Sequence, residues 1–70
     1  MEFVYYEEVE MILDRALNPS SSKREIFYDR YEVFKYILKK LHIKHSAKNR
    51  SKIEKYMTKY EETKGVSLYG

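Results

Sequence analysis

The sequence predicts an all-α, compact three-helix domain with helices at about 2–17, 22–41 and 47–63 and the second helix at its centre. Three observations carry that prediction. In Glu25–Leu41, the residues Ile26, Phe27, Tyr31, Val33, Phe34, Ile37, Leu38 and Leu41 fall on one arc at about 100° per residue, the pattern of an amphipathic helix with a wide buried face. The chain is interrupted twice, at Asn18-Pro19 and again around residues 42–46, where apolar periodicity lapses. Beyond the second interruption, Ile53, Tyr56, Met57 and Tyr60 separate from a stripe of Lys48, Lys52, Lys55 and Lys59.

The first helix places Tyr5, Val9, Ile12, Leu13 and Ala16 on a common face, with Tyr6 and Leu17 at its edge. Glu7, Glu10 and Asp14 form an acidic stripe beside that face, and carboxylates early in a helix suit its dipole. Phe3, Val4 and Met11 lie off the main face. FVYY also has strand propensity, but no second strand exists to pair with it. Asn18-Pro19 ends the helix, because proline has no amide hydrogen and disfavours αR in the residue before it. Ser22-Lys23-Arg24-Glu25 matches the S-x-x-E capping box, which assigns Ser22 as the N-cap of helix two, with Ser20 and Ser21 as alternatives.

Within helix two, Arg30 projects into the apolar arc. A buried unpaired guanidinium is costly, so Arg30 is expected to pair with Glu7, Glu10 or Asp14 of helix one. The alternative is a stem on the core edge with its head in water. Ser46 is read as the N-cap of helix three, and Gly65 as its C′ residue with Lys64 at the dipole-negative end. A single bent helix from 22 to 64 is the competing reading. In the tail, Val66 and Leu68 either fold back or stay disordered.

Seventy residues bound the chain to one domain, 1–70, and a lone domain of this size buries only about 60% of the surface its unfolded chain exposes. Oligomerisation, with a homodimer expected, or a bound partner would add stability. There is no cysteine, so neither disulfides nor a cysteine zinc site is available. MEFVYYEE lacks the basic start and apolar stretch of a signal peptide, and no apolar run approaches the roughly 20 residues that span a bilayer. A soluble, cytoplasmic protein without membrane partners is therefore expected. The lack of glutamine, tryptophan and cysteine beside abundant Lys, Glu, Tyr and Ile points mildly to a viral or archaeal origin.

Charge is segregated. Residues 1–20 carry five acids against Arg15 alone, whereas residues 44–70 carry seven Lys and Arg against three acids. Between Lys35 and Lys59 the only acid is Glu54. Lysines on one helix flank neutralise phosphates and release counterions. The expected function is thus a small non-enzymatic nucleic-acid-binding protein, a regulator of transcription binding double-stranded DNA. Its contacts would be Lys44, Lys48, Arg50, Lys52, Lys55 and Lys59, with Asn49 and Ser51 available to base edges. The bland reading is a solvated face.

Phe34, Leu38 and Leu41, then a short turn with Ile43, then Ile53 and Tyr56 resemble a loose helix-turn-helix, though the turn carries no glycine. The rival function is a protein-interaction module, an inhibitor or adaptor acting through Tyr5, Tyr6, Glu7, Glu10 and Asp14. Exposure of the acidic stripe favours this rival, and internal pairing favours nucleic acid. His42 and His45 share metal-ligand spacing, but no carboxylate lies between Val33 and Ile53 and Lys40, Lys44 and Lys48 surround the pair, so no metal or cofactor is expected. The chain has no glycine-rich phosphate loop, no cysteine nucleophile and no histidine placed beside an acid, so no enzyme is expected.

Overall fold

A computed structural model of the chain describes residues 4–18, 20 and 24–69. It has three α-helices, α1 (Tyr6–Ala16), α2 (Arg30–Leu41) and α3 (Ala47–Lys64), and no strand among the described residues. Each helix packs on the other two.

The first helix starts at Tyr6 and not at residue 2. Tyr5 is extended at φ −105°, ψ 146° and is the N-cap, and the Glu8 carboxylate accepts from the Tyr5 amide at 3.4 Å. Tyr5 therefore leaves the helical face assigned to it and is 59% exposed. Val4 takes a core position from the extended segment, where its carbonyl accepts from the Tyr56 hydroxyl at 3.0 Å. Val9, Leu13 and Ala16 bury the expected face.

The second helix is shorter than expected, starting at Arg30 and not at residue 22. Asp29 caps it, accepting from the Glu32 amide at 2.8 Å, while the Glu32 carboxylate accepts from the Tyr28 amide at 2.9 Å. This reciprocal D-x-x-E arrangement satisfies amides that a helix start leaves unpaired. Ser22, the cap read from sequence, lies outside the described residues, but residues 24–28 are non-helical. That segment is tied back to α1 by a 2.8 Å bond from the Glu25 amide to the Ala16 carbonyl. From there Phe27 enters the core and meets the Tyr36 ring edge-on at 5.2 Å, whereas Ile26 points outward.

The turn falls where the sequence placed it. His42 adopts a left-handed φ of 56°, which ends α2 and overturns the single bent helix. Ser46 accepts from the Asn49 amide at 3.1 Å and starts α3 at Ala47. Gly65, at φ 67°, ends it, with the Gly65 and Val66 amides both directed to the Glu61 carbonyl. The tail divides: Leu68 returns to the core while Val66 stays exposed.

The core lies between the three helices. Val33, Phe34, Ile37 and Leu38 from α2 meet Val9 and Leu13 from α1 and Ile53, Met57 and Tyr60 from α3. Contacts of Val4 with Tyr56 and of Glu10 and Asp14 with Lys64 run α1 alongside the C-terminal half of α3 in the same direction. Arg30 meets Thr58 and Glu61, whereas Phe34 meets His45, so α2 runs antiparallel to α3. The first turns of α3 therefore extend past α1, accompanied by the end of α2 and the turn.

Candidate nucleic-acid interface

At about 100° per residue, Lys48, Lys52, Lys55 and Lys59 fall within an arc of about 60° on α3, opposite Met57. Lys48, Lys55 and Lys59 are exposed and Lys52 is half-buried. Lys48, Ser51, Lys52, Lys55 and the side of Tyr56 line one shallow groove. No ion pair with an acid ties Lys48, Lys52 or Lys55 among the described residues. Lys59 sits 4.3 Å above the Tyr6 ring, which itself meets Tyr56 edge-on at 5.8 Å. A cation over a ring face is held by the ring quadrupole but keeps its charge. Glu62, which sequence reasoning did not weigh, lies at the C-terminal border of this arc, so the acid-free part is the helix up to Thr58.

Three expected contacts stand apart from that groove. Arg50 lies on the opposite side of α3, with its guanidinium 5.8 Å from the Phe34 ring and 6.0 Å from the Tyr31 ring and 3.8 Å from Glu54. Asn49 is partly committed to the turn, because its side-chain amide donates to the Lys44 carbonyl at 2.9 Å. Lys44 is exposed within the turn itself.

The acidic stripe of α1 is paired in part: Glu10 and Asp14 face α3, yet Asp14, like Glu7, stays exposed. The Lys64 ammonium lies 3.7 Å from Glu10 and 3.9 Å from Asp14. The Tyr60 hydroxyl donates to Asp14 at 2.6 Å. Burial, and then the Asp14 carboxylate accepting that bond, hold the Tyr60 phenol well above its ordinary pKa. Glu7 remains exposed, as does Tyr5, while Tyr6 is half-buried.

Arg30 pairs with α3, not with α1 as the sequence suggested. Its guanidinium donates to Glu61 at 3.0 Å, to the Glu54 carbonyl at 3.0 Å and to Thr58 at 2.7 Å. The α1 acids are unnecessary to it because α3 presents a carboxylate, a carbonyl and a hydroxyl on one edge. The i, i+3 spacing of Thr58 and Glu61 was the available signal, since position 54 contributes only its backbone carbonyl.

No group of three metal-ligating side chains occurs among the described residues, and no helix there is long and apolar enough to cross a membrane. No family model, curated protein or solved structure matches the chain.

Proposed function

We propose that this chain is a small nucleic-acid-binding protein, a DNA-binding regulator that lays the lysine flank of α3 along duplex phosphates. The observation that carries the reading is the groove of Lys48, Lys52 and Lys55, which no acid lines. Ammonium groups in that state can exchange water and counterions for phosphate without first breaking an internal pair. The projection of the first turns of α3 beyond α1 gives this flank room beside a duplex. Ser51, exposed on the same groove, is the polar group best placed for a base edge; Asn49 serves there only if its bond to Lys44 opens. A homodimer would present two such flanks, and sedimentation equilibrium tests for it. The rival, a protein partner on the acidic face of α1, retains exposed Glu7 and Asp14 but shares Glu10 and Asp14 with Lys64 and Tyr60.

The test is fluorescence anisotropy of mixed-sequence duplex DNA at several salt concentrations. Wild type is expected to bind with steep salt dependence. Replacing Lys48, Lys52, Lys55 and Lys59 by alanine is expected to flatten the log–log slope by roughly 3–4, at about 0.9 per phosphate contact. No duplex binding at low salt would overturn the reading.

A further inference from the structure

We propose that a second surface, on the outer flank of α2 and the α2–α3 turn, binds single-stranded nucleic acid. An unpaired base stacks on Tyr31 while Lys35 and Lys39 hold the flanking phosphates. This goes beyond the duplex reading and uses none of the α3 stripe.

The surface is an open depression of about 540 Å³. Leu38 and Ile43 form its apolar floor, and His42 and His45 close it on the side of the turn. One wall is the ring of Tyr31, which is 46% exposed, a high value for a tyrosine beside a fully buried Phe34. The Lys35 ammonium lies 5.0 Å from the centre of that ring. Lys39, one turn further along α2, is on the same rim. No acid lines the depression; the nearest on this helix, Glu32, is turned to the Tyr28 amide at 2.9 Å.

Lys35 lies over the Tyr31 ring at 5.0 Å and Arg50 over it at 6.0 Å, so a base reaches this ring by displacing a cation. An aromatic face accompanied by cations is the combination that single strands use. Stacking takes any base because every base has a π-face, and the cations follow the backbone. A duplex keeps its bases stacked on one another and cannot make that contact. The α3 groove has the opposite character: its one aromatic, Tyr56, is half-buried and its hydroxyl is spent on the Val4 carbonyl. The two surfaces therefore sort by nucleic-acid form. A base entering against Tyr31 takes the position of the Lys35 ammonium, which swings to the phosphate that the base brings.

The test measures anisotropy of a labelled 12-nucleotide thymidine strand, with Tyr31→Leu, Tyr31→Phe, Lys35→Ala/Lys39→Ala and the four-lysine α3 variant, each checked for helicity by circular dichroism. Tyr31→Leu is expected to weaken strand binding roughly 5- to 150-fold while leaving duplex binding unchanged. Tyr31→Phe keeps the ring and is expected to bind as wild type. The Lys35/Lys39 variant is expected to lose roughly 1.4 from the salt slope, at about 0.7 per contact on single strands. Strand binding equal to wild type in Tyr31→Leu, or strand binding lost in the α3 variant alone, overturns the proposal. Either result leaves the duplex reading to its own experiment, and loss of duplex binding alone leaves this one standing.

Discussion

At the scale of single residues, two side chains join helices that the sequence does not place together. Arg30 makes three hydrogen bonds to α3, and its side chain and that of Glu61 are 31% and 25% exposed. Partial exposure screens the charge, so the worth lies mainly in the hydrogen-bond geometry. Arg30→Met is expected to destabilise the fold by about 1–2 kcal/mol in urea unfolding, and an unchanged midpoint would show the bonds to be dispensable. Tyr60 acts through protonation. Below about pH 10 the folded and unfolded chains both keep its proton, and its contribution is constant. Above that, the unfolded chain releases the proton while the folded chain, with its raised pKa, retains it. The unfolded state then binds fewer protons, so stability falls as pH rises. Wild type is expected to lose melting temperature between pH 9 and pH 11, and Tyr60→Phe to lose less; parallel curves would contradict the assignment.

At the scale of elements, the ends of α2 and α3 are set by left-handed residues and short polar caps. A Cβ at Gly65 would meet nothing within 4 Å, so Gly65→Ala carries only the backbone strain of φ 67°. The expected loss is about 1 kcal/mol in thermal or urea unfolding. Helix three was legible almost to the residue because Ser46, the apolar face and Gly65 agree with one another. Helix two was legible in its buried face but not at its start. Ile26 and Phe27 fit the helical period, and Ser22-x-x-Glu25 offered a cap upstream of Asp29-x-x-Glu32, which is the one used. Period alone cannot distinguish a helical phenylalanine from one delivered to the core by a loop, as Phe27 is. The lysine flank was readable because it is a property of one helix. The separation of Arg50 from it, the tether on Asn49 and the depression beside Tyr31 were not, since each depends on where α2 and the turn lie against α3.

At the scale of the whole molecule, a body 35 × 23 × 21 Å in extent, charge divides between the two ends of the antiparallel α2–α3 pair. The end of α2, the turn and the first turns of α3 gather Lys39, Lys40, Lys44, Lys48, Lys52 and Lys55. The other end holds Asp29, Glu61 and Glu62 and the Glu10–Lys64–Asp14 cluster. Lys64 has a particular consequence there. Its single charge offsets only one of the two α1 acids at the far end, so that end stays the negative pole and Lys64 tempers the lopsidedness of a body whose positive pole leads. A polyanion exerts a torque on such a body before any contact forms, turning the lysine end forward during diffusion. Lys64→Ala, which touches no phosphate in this arrangement, is therefore expected to change how often an encounter with DNA begins correctly oriented. In stopped-flow association at low salt it should alter the on-rate while the rate of departure stays that of wild type.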